Sequence, residues 1–161
     1  MSHLQTIKDC NDIDKMKIRI NELSKNDHMD EAVMYILVNS NIKMEKGKTA
    51  NQCSHSACRV TRLIENANRN GNGNENLDVY NKWINNFEPK IILKCNEQEM
   101  KKYIEDFEIK DENCIYGKDV WCIHTRDIGR TQIEFGSLTT IAFCPIIRRN
   151  TPESIKKLKL L

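Results

Sequence analysis

The longest apolar run in the chain is Ala32-Val33-Met34-Tyr35-Ile36-Leu37-Val38. A continuous stretch this short, rich in β-forming side chains, reads as a strand buried on both faces. After the polar turn Asn39-Ser40-Asn41 the period changes. From near Gly47 or Lys48, the residues Ala50, Cys53, Ala57, Val60 and Ile64 recur at alternating three- and four-residue steps, which predicts a helix with one apolar face. Its first members are small, so the helix can lie close against a sheet. Residues 66–76 are almost purely Asn, Gly, Arg and Glu and are expected to form a surface loop.

A second helix follows, with Tyr80, Trp83, Ile84 and Phe87 on one face and Pro89 as its stop. Ile91-Ile92-Leu93 is the next strand. Asn96 is placed to cap a third helix, Glu99 completing a capping-box pair, and Met100, Tyr103, Ile104 and Phe107 give that helix a buried stripe. Residues 108–119 read as a polar loop. Val120–Thr125 and Leu138–Cys144 are two more strands, joined without a helix and therefore suited to antiparallel pairing. Thr151-Pro152 opens a last helix, with Thr as N-cap and Pro as the first helical residue. The order β-α-α-β-α-β-β-α predicts an α/β fold, a largely parallel or mixed sheet covered on both faces. Residues 1–31 are polar and lack a clean period. They are expected to be a loosely attached extension, with a short helix around Met16–Leu23, and residues 32–161 the folded domain.

Composition narrows the setting. A chain of 161 residues buries one sizeable core without disulfides or metal. A net charge of +2 does not announce a nucleic-acid binder, so any basic surface must be local. The seven cysteines are odd in number and contain no CxxC, which fits free thiols in a reducing compartment. No stretch approaches the ~20 apolar residues that span a bilayer, and the N-terminus has no apolar leader-like run. A cytoplasmic protein is expected.

Three segments could carry chemistry. Lys43-Met44-Glu45-Lys46-Gly47-Lys48-Thr49 lies between the first strand and its helix. A phosphate loop of the Walker type would need glycine where Ile42 stands. A helix N-terminus with three lysines still favours an anion, although alone it is more simply a solvated basic turn. On that helix, Lys48, Gln52, His55, Arg59 and Arg62 form a polar, partly basic stripe, as an exposed face also would. Cys53, His55 and Cys58 do not converge on one ion at this spacing, so zinc is not expected. The third segment is Arg126-Asp127-Ile128-Gly129-Arg130-Thr131-Gln132, followed by Gly136-Ser137-Leu138-Thr139. It leaves a strand end, where α/β proteins place their sites, though an Asp–Arg pair bracing a turn would look alike. There is no GxSxG and no HExxH, so a hydrolytic reaction would use activated water.

Taken together, these segments resemble the archaeal and eukaryotic class of peptidyl-tRNA hydrolases. Lys43-Met44-x-Lys46-Gly47-Lys48-x-Ala50-x-Gln52-Cys53-Ser54-His55-x-Ala57 looks like the start of the family's signature helix. Asp127-x-Gly129-Arg130-Thr131-Gln132-Ile133 and Gly136-Ser137-x-Thr139 look like its second half. The resemblance implies a three-layer α/β/α sandwich with a four-stranded mixed sheet, often dimeric, with no required metal or cofactor. It implies hydrolysis of the ester between a peptide and the 3′-terminal ribose of tRNA. Carried over by motif, the catalytic group is Lys48, Asp127, Thr131 and Thr139, with His55 beside it. Lys43, Lys46, Gln52, Arg59, Arg62 and Arg130 are the expected substrate-binding residues.

Some positions depart from the family pattern. Asn41 stands for a common Asp, Glu45 for Gly, Asn51 and Ile128 for Ala, and Glu134-Phe135 for a Pro- or Ala-containing pair. The expected catalytic set is intact, which speaks against a fold kept only as a binding module. An enzyme acting on another acylated tRNA is the second alternative.

Overall fold

The computed structural model of the chain describes residues 12–25, 27–69, 75–110, 115, 118–130 and 132–161. Its first half holds α1 (Ile13–Ser24), β1 (Ala32–Asn39), α2 (Lys46–Arg69), α3 (Glu75–Asn85) and β2 (Lys90–Cys95). Its second half holds α4 (Glu97–Phe107), β3 (Cys122–Arg126), β4 (Leu138–Phe143), β5 (Ile146–Ile147) and the single-turn α5 (Glu153–Lys156).

The apolar run becomes the central strand, and every residue of β1 is buried. β2 lies parallel on one edge, and β4 antiparallel on the other, with β3 antiparallel outside β4, giving the order β2-β1-β4-β3. The parallel pair requires a crossover, which α2 and α3 supply. The last two long strands, joined directly, are antiparallel as expected.

Alternation along β4 sorts the layers. Thr140 meets Ser56 of α2, whereas Phe143, an odd number of positions on, packs edge-on against Tyr103 and Phe107 of α4. Side chains at odd spacing leave opposite faces of a strand, so α2 and α4 cover opposite faces of the sheet. Trp83, Trp121, Phe143, Met34 and Met100 are fully enclosed and fill the space between these layers. Beyond α4, His124 Nδ1 meets the Glu108 carboxylate and tethers the end of that helix to β3.

Several local expectations are corrected. The helix α2 runs to Arg69 instead of ending near residue 65, because Ile64 and Ala67 extend its buried stripe into the Asn-rich segment. Residues 70–74 of that expected loop lie outside the described residues. The helix α3 ends before Phe87: Phe87 and Glu88 take positive φ values of 60° and 53°, and Glu88 N–H bonds back to the Trp83 carbonyl at 3.0 Å. Within 108–119, Ile109 and Ile115 are buried anchors rather than polar loop. Thr151 does not cap α5; its hydroxyl is buried against the Tyr35 hydroxyl at 3.2 Å, and Pro152 precedes the helix without a side-chain cap.

A short fifth strand adds to the expected four. β5 pairs with β1 through Val33↔Ile146, while β4 pairs through Ile36↔Ala142. The outer strand thus spends one residue more than β1 between these pairs, a bulge at Cys144–Pro145, where the proline has no N–H to offer the ladder. The cap at Asn96 is as expected, its side chain accepting the Glu99 N–H at 2.9 Å and its amide reaching the Glu99 carboxylate at 2.7 Å.

Candidate active site

Two chain turns at the same end of the sheet build the site. At the end of β1, Asn39 donates to the Leu138 carbonyl at 2.8 Å and accepts the Asn41 N–H at 2.9 Å. Asn41 in turn accepts the Glu97 N–H at 2.8 Å. These bonds lock the turn between β1 and the start of α2 to both β4 and α4. Lys48, in the first turn of α2, then projects along the sheet edge with its side chain only 10% exposed.

The other turn follows β3. A register shift at Thr125/Arg126 precedes Asp127, whose N–H bonds the Ser137 carbonyl at 2.9 Å and whose carbonyl takes the Gly136 N–H at 2.8 Å. This closes the loop between β3 and β4 on itself. Gly129 has φ of +70°, and a Cβ there would stand 2.8 Å from the Phe135 Cα, so only glycine fits that turn.

The two turns bring Lys48 Nζ to 2.5 Å from Asp127 Oδ1. Gln52 Nε2, one helical turn after Lys48, donates to the same oxygen at 3.0 Å, while the Gly129 N–H reaches Oδ2 at 3.0 Å. The Lys48 hydrogen bond, helped by the Gly129 N–H, holds the Asp127 carboxyl below its ordinary value of 3.8 despite its burial. Asp127 is therefore an ionised acceptor at neutral pH. It is a poor proton abstractor and a good anchor for a cation and a water.

Below this pair lies a layer of hydroxyls. Thr139 donates toward Gln52 Oε1 at 2.9 Å and the Thr125 carbonyl at 3.0 Å. Ser56 bonds Thr125 Oγ1 at 2.8 Å and Thr140 Oγ1 at 2.5 Å. All four hydroxyls are buried. Such groups are retained in an interior when each has a partner.

A cleft of about 630 Å³ opens over the pair, with Lys48, Gln52, Asp127 and Thr125 in its lining. His55, Arg59, Arg62 and Arg130 also line it, as do Arg126, Asn51, Ile128 and Gln132. His55 is exposed. Arg59 donates to the His124 carbonyl at 2.8 Å and to Thr125 Oγ1 at 3.3 Å, so it braces β3 as well as facing the cleft. Lys43 and Lys46 are exposed on the approach and are not in the lining, though Glu45 N–H links this approach to Gln132 Oε1 at 3.3 Å. Thr139 is fully buried and reaches Asp127 only through Gln52, unlike the expectation that it belongs with the reacting groups. Thr131 lies outside the described residues.

Several contributors were not singled out from the sequence: Asn39, Ser56, Thr125, Arg126 and Thr140. Ser56, Thr125 and Thr140 carried a usable signal, since each is a hydroxyl residue at an inward-facing position of a helix or strand. Three of the described thiols offer no rival chemistry: burial pushes Cys53 up to about 11 and Cys95 and Cys144 up to about 12. Such groups are not thiolates at neutral pH. Among the described residues, no group of three His, Cys, Asp or Glu side chains is arranged to hold a metal ion, and no helix is long and apolar enough to cross a membrane.

The chain's sequence matches the family model of peptidyl-tRNA hydrolase PTH2 over residues 32–161. It is similar to a yeast (Saccharomyces cerevisiae) protein named peptidyl-tRNA hydrolase 2, 33% identical over 126 residues that make up 78% of this chain and 56% of the yeast protein. A Methanococcus maripaludis peptidyl-tRNA hydrolase is 31% identical over 78% of this chain and 96% of its own length. One from Saccharolobus islandicus is 32% identical over 70% of this chain and 84% of its own length. The match to the yeast protein thus spans little more than half of that protein, while it spans nearly all of the Methanococcus one.

Proposed function

The chain belongs to the PTH2 family of peptidyl-tRNA hydrolases, and from that membership we propose that it hydrolyses the ester joining a peptide to the 3′-terminal ribose of tRNA. The observation that carries this reading is the Lys48–Asp127 pair, at 2.5 Å, on the floor of a cleft walled by arginines. An ester is a modest target, since its ribose oxygen leaves more readily than an amine. One positioned water and one fixed cation suffice.

Asp127 Oδ1 already carries Lys48 and Gln52, whereas Oδ2 accepts only the Gly129 N–H among the bonds described above, so Oδ2 is the oxygen with a lone pair left for a water. Water held there, with Thr131 as a second contact, is aimed at the ester carbonyl. As the tetrahedral intermediate forms, negative charge grows on the carbonyl oxygen, and the Lys48 ammonium stabilises it. Exposed His55 is the side chain on the cleft wall suited to take the proton that the attacking water sheds and to hand it to the departing ribose oxygen. The proton taken up in the first half of the reaction is then the one given back in the second. Gln52 holds the carboxylate in place, and Thr139 holds Gln52. Arg59, Arg62 and Arg130 take the phosphates of the acceptor end, with Lys43 and Lys46 on the approach; such contacts ignore base sequence and weaken with salt.

We further propose that residues 32–161 carry the activity and residues 1–31 are an appendage, and that the protein works in the cytoplasm without cofactor. A homodimer is part of the same reading, and the mass of the protein in solution decides it. The central experiment compares N-blocked and free aminoacyl groups on one tRNA. Cleavage of the blocked form alone is expected. Cleavage of the free form at equal rate would point to another acylated tRNA as substrate, and binding without turnover would reduce the protein to a binding module.

A further inference from the structure

Among the described residues, large apolar side chains are left exposed in three places. Ile13, Ile18, Ile20 and Met29 lie on α1 and the turn after it, Leu160 and Leu161 lie at the other end, and Ile128 and Phe135 lie on the loop that carries Asp127. In that loop, Ile128 is 61% and Phe135 78% exposed. Neither side chain serves the core, and a polar residue would cost the fold nothing at either position. Their placement is nonetheless fixed: Gly136 N–H closes on the Asp127 carbonyl, and the Phe135 backbone packs against Gly129. Ile128 directly follows Asp127 and lines the cleft.

We propose that Ile128 and Phe135 form the acyl-side wall of the site and favour substrates whose esterified residue carries a large apolar side chain. This rests on the hydrolase reading above. The ester has two unlike halves. Its ribose half brings phosphates, which suit Arg59, Arg62, Arg126 and Arg130. Its acyl half brings uncharged amides and a side chain, and among the cleft-lining residues Ile128 is the one large aliphatic group offered to it. A nucleobase is the other uncharged part of the substrate, but bases stack on planar groups. Phe135 is planar but is not among the residues that line the cleft; the lining residue that follows Asp127 in the chain is the branched aliphatic Ile128. On the acyl side of the reacting carbonyl the apolar group within reach is the amino-acid side chain.

The test uses the full chain and one tRNA body charged with N-acetyl-phenylalanine or N-acetyl-glycine, assayed with wild type, Ile128→Ala, Phe135→Ala and the double variant. Alanine keeps the Phe135 Cα that packs on Gly129, and circular dichroism verifies folding. The double variant is expected to lower kcat/KM for the phenylalanyl substrate about tenfold while leaving the glycyl substrate within about twofold. An equal fall on both substrates would overturn the proposal in favour of contact with the terminal nucleotide or an effect through Asp127. No fall on either would show that the patch does not meet the substrate. If the wild type cleaved neither substrate, the hydrolase reading itself would fail and this inference with it. Wild-type cleavage of both with no difference among variants would remove the inference alone.

Discussion

Thr139 sets the direction in which the Gln52 amide faces. Its hydroxyl meets Gln52 Oε1 at 2.9 Å, and that leaves the amide nitrogen directed at Asp127 Oδ1, 3.0 Å away. A flipped amide would turn its oxygen on the carboxylate and lose the bond to Asp127. The buried threonine therefore acts on the carboxylate through an intermediary.

Replacing Thr139 separates this positioning role from a reacting one. Thr139→Val keeps the shape and leaves the Gln52 carbonyl without its donor, a loss of about 1–3 kcal/mol in stability. The kcat is expected to fall about tenfold, KM for the tRNA to stay put, and Thr139→Ser to restore both. A fall as deep as that of the Asp127 variants would instead make Thr139 a group that touches substrate. Chemical denaturation and steady-state kinetics on one set of samples read out both quantities.

Lys48 and Asp127 should behave as a unit. Lys48→Met or Asp127→Asn alone is expected to lower kcat by about a hundredfold to a thousandfold, with the double variant little worse than either. Either single change strips a partner from a buried pair and costs about 3–5 kcal/mol, whereas the double change recovers much of it. Additive losses in activity would mean the two groups serve separate steps.

The acid side of the profile follows from the same contact. Asp127 has its folded-state value depressed below 3.8, so the stability drawn from its ionised form is fully present above that value. It is lost only as the pH falls through the still lower folded value. Carbon NMR of the Asp127 carboxyl should show no titration between about pH 5 and 8, and Lys48→Met should move its midpoint upward, toward 3.8. A midpoint above 3.8 in the wild type would contradict the ion pair.

Two arginines that look alike in the sequence should part company in salt. Arg62 is exposed on the cleft wall, and Arg62→Ala is expected to lower the slope of log affinity against log salt by about 0.7–0.9, equally for all tRNAs. Arg59 also ties β3 through the His124 carbonyl, so Arg59→Ala should lower thermal stability as well. Filter binding over a salt series, beside thermal melts, distinguishes them.

The readability of the fold was uneven for physical reasons. A strand buried on both faces, such as β1, declares itself through composition alone, and the small residues at the start of α2 announce close packing. The Asn-rich stretch before residue 70 misled because polar composition outweighed a stripe that Ile64 and Ala67 still continued. The left-handed pair at Phe87 and Glu88 has no sequence signature, neither being glycine or asparagine. Lys48 and Asp127 were each visible as candidates, yet each segment alone had a bland explanation. Their contact is tertiary and could be anticipated only through the ordered set of motifs. Thr139 was visible as a motif member but not as a buried one, since local spacing says nothing about which face of a sheet end is covered by a helix.

The site's two charged members come from positions separated by 79 residues, and the loop bearing the second is shut only once Gly136 and Ser137 are in place. During synthesis α2, which bears Lys48, leaves the ribosome long before the loop that bears Asp127 does. A copy of the chain cut short before Gly136 therefore lacks the Lys48–Asp127 contact however well its first half has folded, and the proposed hydrolytic site is assembled in a single step, when the loop between β3 and β4 closes.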